Sequence, residues 1–218
     1  PGTGKTILAQ QIVFHNANED DRAPYLVTVS EPTVKMLRYA QQFSFFDNDR
    51  VGSNVIYLDI GSTLLESGLE EVTRQIEQYI EDFSPTILAI DSFKAIHELT
   101  GDAPQLREFA YRLAVRLTAW GTTTLLVGEY TRESITQAPI FAIADGIIHL
   151  DNDSRGMQSY RHLEVLKLRG SNYFSGKHTF SISADGLKVF PRVKMPNLPR
   201  SYPIGERRVS VGVSSLDE

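Results

Sequence analysis

One stretch constrains this chain more than any other: Pro1-Gly2-Thr3-Gly4-Lys5-Thr6, running straight into Ile7-Leu8-Ala9-Gln10-Gln11-Ile12-Val13-Phe14. It matches the second half of the P-loop pattern G-x-x-x-x-G-K-[ST], with Gly4, Lys5 and Thr6 in the last three places. Glycines at positions 2 and 4 let the backbone turn tightly and aim its N–H groups inward, and the start of the following helix adds partial positive charge. Lys5 is then placed to reach β- and γ-phosphates, and the Thr6 hydroxyl to ligate Mg²⁺. Gly2, Thr3, Gly4, Lys5 and Thr6 are the candidate nucleotide-binding residues. A glycine turn that merely caps a helix is the plainer alternative. Such a loop normally follows a buried strand, so the first core strand and the opening glycine of the pattern are expected upstream of residue 1.

Composition narrows the partners. With 218 residues, one substantial α/β core is the default, and 41% hydrophobic with 22% charged residues is ordinary globular material. A formal charge of -5 gives no general basic field for gripping a polyanion. Zero cysteines remove disulfides, thiolate chemistry and Cys-ligated metals, and suit a reducing compartment. No apolar run approaches a membrane span and no signal-peptide pattern is visible, so a cytoplasmic protein without membrane contact is expected.

Short apolar strands alternate with amphipathic helices along the first two-thirds of the chain, the pattern of a mostly parallel sheet. Strands are expected at 25–29, 55–58, 86–92, 123–127 and 146–150. Helices are expected from the P-loop to about Asn16, from Pro32 to about Gln42, over 69–80 and from Pro104 to about Trp120. Val34, Leu37 and Ala40 or Gln41 set the period of the second helix; Leu106, Phe109, Leu113, Val115, Leu117 and Trp120 mark the buried face of the last. Tyr39, Phe43, Phe45 and Phe46 read as packing near a helix end, with an exposed subset serving a partner as the alternative. Strands without helices follow at 161–168, 178–183 and 187–190, with Ala184-Asp185-Gly186 as a hairpin turn between the last two. Beyond Pro191 the prolines at 196, 199 and 203 suggest an extended linker.

Thr86-Ile87-Leu88-Ala89-Ile90-Asp91-Ser92 is the second anchor. A buried strand ending in a carboxylate has the form of a Walker B strand, with Asp91 holding Mg²⁺ directly or through water. By itself an Asp-Ser helix cap would read the same way. No G-x-S-x-G elbow supports a hydrolase triad, and the five histidines lack metal-ligand spacing.

These segments, with Val27-Thr28-Val29-Ser30-Glu31 and above all Leu163-Glu164-Val165-Leu166-Lys167-Leu168-Arg169-Gly170, resemble the RecA-fold ATPases of the KaiC type over nearly the whole chain. The resemblance implies a RecA-like core over residues 1–192 with a C-terminal antiparallel β extension. Residues 193–218 then form a linker and the start of a second KaiC-like domain, because Arg208-Val209-Ser210-Val211-Gly212-Val213-Ser214-Ser215-Leu216-Asp217-Glu218 resembles the opening of one. An edge strand of this same domain is the alternative for that tail.

It also implies ATP hydrolysis, with Mg²⁺, at subunit interfaces of a hexameric ring that acts through regulatory protein partners in circadian timing or signalling. The family's acidic pair after the second strand reads Ser30-Glu31 here, so the first acid is missing and Glu31 is the candidate to activate water. A helix cap or a solvated carboxylate is the alternative. Lys167 and Arg169 alternate along a strand, so they share a face; the resemblance assigns them to a neighbour's γ-phosphate, whereas a wet strand face is the plainer reading. Where related second domains carry phosphate-accepting Ser and Thr, this chain has Phe141 and Ala142, so autokinase activity is not expected of this domain. A DNA-dependent recombination or repair ATPase of the RecA and RadA group is the competing function. Arg132 is the only cation between Glu129 and Ile140, offset by Glu133, which disfavours nucleic acid as partner. A nucleotide-binding switch with little turnover is a third possibility.

Overall fold

A computed structural model of the chain describes residues 2–18, 21–28, 32–100, 103–155 and 158–193. Its first layer is α1 (Lys5–Asn16), and its second is a parallel sheet of β1 (Ala23–Val27), β2 (Val55–Asp59), β3 (Ile87–Asp91) and β4 (Thr123–Val127) in the order β2-β1-β3-β4. The third layer holds α3 (Gly61–Phe83), α4 (Phe93–Thr100) and α5 (Ala103–Ala119), while α2 (Thr33–Ala40) lies between β1 and β2 in sequence. Because side chains alternate across a strand, the central strands serve two cores. Leu26, Leu88 and Ile90 pack with Val72, Ile76, Phe93, Phe109 and Leu113 of the helical layer. Tyr25, Val27 and Ala89 pack on the other face, with Ala9, Val13 and Phe14 of α1.

After β4 come two short helices, α6 (Arg132–Gln137) and α7 (Pro139–Ile143), then an antiparallel sheet of β5 (Gly146–Arg155), β6 (Gln158–Leu168), β7 (Lys177–Ser183) and β8 (Gly186–Phe190) in sequence order. Its small core of Leu150, Leu163, Phe180 and Leu187 takes in Leu8 of α1. Gln11 of α1 also accepts a hydrogen bond from the Leu187 backbone N–H (2.7 Å). The P-loop helix is therefore the joint between the two sheets. No strand pairing links β4 to β5 among the described residues; both line one long cleft. The expected architecture is the observed one in its layers: an α/β core with a parallel central sheet flanked by helices, and a C-terminal antiparallel extension.

Several local expectations need correction. In α2 the buried residues are Met36 and Ala40, four apart, while Val34 is 79% exposed. In α5 Leu106, Phe109, Leu113 and Leu117 are buried as expected, but Val115 and Trp120 are exposed. Tyr39 is exposed as well, whereas Phe45 and Phe46 do pack on the α1 core. The helix expected over 69–80 begins after a break at Gly68, whose φ of 78° suits glycine, and a helical segment from Gly61 precedes it. α4, α6 and α7 were not expected. The β7–β8 hairpin turns at Ala184-Asp185, with Gly186 at φ 90°. Residues 194–218, including the tail read as the start of a second domain, lie outside the described residues.

A candidate nucleotide site on the P-loop

Two elements meet at the carboxyl edge of the parallel sheet. Gly4 precedes α1 in the left-handed conformation (φ 93°, ψ 17°), which a side chain rarely adopts and which turns the loop into the helix. The space beside it is filled too: a Cβ at Gly4 would stand 2.7 Å from Cδ1 of Ile182. Gly2 also has positive φ (72°). α1 then begins with no side-chain cap and no acidic residue in its first turn, so its N–H groups and dipole are offered to an anion rather than to the chain itself. Lys5 Nζ donates to Thr3 Oγ1 (3.1 Å), which folds the ammonium back onto its own loop.

Thr6 Oγ1 donates to Asp91 Oδ2 at 2.8 Å, across 85 residues of sequence. A hydroxyl whose proton goes to a carboxylate has its lone pairs left for a cation, and a carboxylate beside it supplies a second hard oxygen. The pair therefore suits Mg²⁺, and the two predicted metal residues are brought together. Asp91 is only 7% exposed, and Tyr25, fully buried beneath it, donates its phenol to the same Oδ2 (2.9 Å). Burial, and then the Asp91 charge, raise the Tyr25 phenol well above its ordinary range, so it stays a donor. Next to it, Tyr57 accepts from Gln10 Nε2 (3.3 Å), and burial raises its phenol likewise. Sequence reasoning passed over Tyr25; a phenol in an otherwise apolar strand was the available signal.

The next strand end is tied in as well. Thr28 N donates to Asp91 O (3.0 Å), and Ser92 N donates to Thr28 Oγ1 (2.9 Å). Thr28 is three residues before Glu31. Glu31 itself, with Ser30, lies outside the described residues, so the predicted water-activating carboxylate has no described position.

Lys167 and Arg169 are brought together, but not with the P-loop side chains. Lys167 Nζ donates to the carbonyls of Phe141 (3.1 Å) and Ala142 (3.0 Å), and Arg169 Nη2 donates to Ala142 O (2.9 Å). Arg169 Nη1 also pairs with Asp145 (3.3 Å). Both cations thus sit on the carbonyl end of α7, where the helix dipole favours them. The strand pairing skips Leu166, since Ile147 pairs with Lys167 and Ile148 with Val165; this bulge re-aims the end of β6. Phe141 packs edge-on against Tyr130 just beyond β4 (4.9 Å), and burial pushes the Tyr130 phenol up to about 12. P-loop residues, Asp91, Tyr130, Lys167 and Arg169 all line the cleft that runs between the two sheets.

The family model for the KaiC ATPase matches residues 1–194. The chain belongs to the KaiC family of ATPases. Circadian clock oscillator KaiC proteins of Rippkaea orientalis and Acaryochloris marina are 28% and 29% identical to it across the whole chain. The chain spans 43% of the length of each of these relatives. A KaiC-like protein from Pyrococcus horikoshii shares the fold, with a TM-score of 0.74 at 24% identity, over 87% of this chain and 85% of that one. The chain is thus a KaiC-family ATPase domain with a RecA-like fold. None of its described helices is long and apolar enough to cross a membrane.

Proposed function

We propose that this KaiC-family domain binds ATP with Mg²⁺ and hydrolyses it at the contact between neighbouring subunits of a hexameric ring, and that turnover drives a timing or signalling output through protein partners. The observation that carries the reading is the Thr6–Asp91 hydrogen bond, which joins the P-loop to the end of β3. Held by Thr6 and Asp91, Mg²⁺ would neutralise charge on the β- and γ-phosphates. Backbone N–H groups at the start of α1 bind phosphate oxygens, and Lys5 leaves Thr3 to meet the terminal ones. Glu31 orients a water and takes its proton as the oxygen attacks. Lys167 and Arg169 serve the neighbour's site: released from the carbonyls of α7, they spread positive charge over the transferring group.

The tandem arrangement belongs to the same proposal. The KaiC family match over residues 1–194 supports one ATPase domain, and we read 193–218 as the link to a second. Phe141 and Ala142 offer no hydroxyl, so we do not read this domain as an autokinase, and we read the protein as cytoplasmic.

One observation favours this reading over a DNA-dependent motor. Arg132 is the lone cation between Glu129 and Ile140, and Glu133 beside it and Glu164, its ion-pair partner on β6, offset its charge, so the segment offers no basic path for a polyanion. The full-length protein, with any second ATP site disabled, should turn over ATP in a Mg²⁺-dependent way, and Lys5→Ala should lower the rate by roughly 10²-fold or more. Turnover should not respond to single-stranded DNA. Stimulation by it, with steep salt dependence, would move the reading to the recombinase group.

A further inference from the structure

Why β1 carries a tyrosine at position 25 is not explained by packing. The side chain is fully buried between β2 and β3, paired in register with Tyr57 and with Ala89. Phenylalanine would fill that space and make the same ring contacts without bringing a polar atom into the core. A buried hydroxyl left without a partner is costly, so the oxygen must be satisfied where it lies. It is satisfied by one atom, Asp91 Oδ2 (2.9 Å), the same oxygen that accepts from Thr6 (2.8 Å). The register explains the reach. Tyr25 stands opposite Ala89 and Val27 opposite Asp91, so the tyrosine and the aspartate lie on one face, two places apart, and the small Ala89 leaves room for the ring between them.

Resting on the metal-nucleotide reading above, we propose that Tyr25 is a positioning residue for the metal site: its phenol locks the Asp91 carboxylate in the orientation that holds Thr6 and presents the two as a cation-binding pair. Two hydroxyl donors on one oxygen, one from beneath and one from α1, stop the carboxylate from rotating. Asp91 then keeps accepting the Thr6 proton, and the Thr6 lone pairs stay directed at the ion. Partners that orient a metal ligand typically carry about 10–100-fold of the metal affinity.

The test uses the full-length protein with any second ATP site disabled, and reads Mn²⁺ binding in the presence of ADP by electron paramagnetic resonance, independently of turnover. Tyr25→Phe should weaken Mn²⁺ binding about tenfold. Nucleotide binding in excess chelator should be unchanged. Tyr57→Phe, which alters the neighbouring phenol but not the Asp91 bond, should bind Mn²⁺ like the parent, and Tyr25→Met should repeat the Tyr25→Phe shift. Parent-like Mn²⁺ affinity in both Tyr25 variants would overturn the proposal, as would an equal loss of metal-free nucleotide binding, which marks a packing lesion. A parent protein that binds Mn²⁺ and ADP but does not turn over ATP contradicts the ATPase reading while the Tyr25 comparison still stands. Failure of the parent to bind Mn²⁺ with ADP overturns both.

Discussion

The two halves of the candidate site are built in opposite ways. On the P-loop side, Thr6, Asp91 and Tyr25 are knitted into the sheet: Asp91 and Tyr25 are buried, and their bonds run between α1, β1 and β3. On the β6 side, Lys167 near the strand's end and Arg169 just past it follow a bulge, and among the described residues they hold carbonyls of α7 and the exposed Asp145. The Arg169 side chain is 56% exposed. One half is preorganised by the core, and the other is tethered by bonds that water can replace. That contrast is what a shared site requires: a rigid half that binds its own nucleotide, and a reachable half that can be given to a neighbour.

The largest effect that separates the halves is on turnover without stability. Arg169→Ala should lower ATP turnover by roughly 10³-fold while nucleotide affinity is kept. Its melting temperature should stay close to the parent's, because an exposed ion pair contributes only about 0–1 kcal/mol. Asp91→Ala should lose both activity and stability, since it strips a buried phenol of its acceptor. A large drop in melting temperature for Arg169→Ala would erase the contrast.

A smaller effect probes how tightly the rigid half is held. Gly4→Ala forces a side chain into left-handed backbone, at about 1–2 kcal/mol, and crowds Ile182 of β7. Chemical denaturation should show that loss. Gly52→Ala, also at positive φ but with nothing among the described residues near its would-be Cβ, gives the strain without the crowding for comparison.

The smallest expected effect lies in the outer sheet. Burial, then the Arg132 charge, lower the pKa of His149 below its ordinary value, with Lys177 acting the same way and Asp151 and Glu164 opposing. The unfolded chain therefore takes up this proton first. Stability should fall as pH drops below about 6.5 toward the lower folded value, and His149→Gln should flatten part of that slope in melting curves. An unchanged slope would place the pH dependence elsewhere, with His97, also lowered by burial, the next residue to change.

How much of this was legible before the structure follows from the range of the interactions involved. The P-loop and Asp91 could be read because their chemistry is local: glycines at fixed spacing, and a carboxylate ending an apolar strand. Ala184-Asp185-Gly186 was legible for the same reason. Val34 and Trp120 were misjudged because a helical period shows which residues share a face but not where the neighbouring layer stops. Among the described side chains of α4, Phe93 and Ile96 are the fully buried ones, and α6 and α7 are too short to show a period at all. Tyr25 could be placed on a buried strand, yet its partner lies 66 residues away and depends on the register between β1 and β3. The same limit applied to Lys167 and Arg169. That they lie near one another was legible; that Arg169 falls just past the strand and that the carbonyls of α7 hold both was not, because it depends on the bulge at Leu166.

The measurement that tests the shared site most directly is complementation. Glu31→Gln and Arg169→Ala are prepared separately in the full-length protein, with any second ATP site disabled, and then mixed under conditions that let subunits exchange. Each variant alone should be nearly inactive. The account predicts that the mixture regains ATP turnover, because an intact Glu31 on one subunit meets an intact Arg169 on its neighbour. If each variant is inactive and verified mixed assemblies stay inactive, Arg169 does not act across the interface, and the central claim is contradicted.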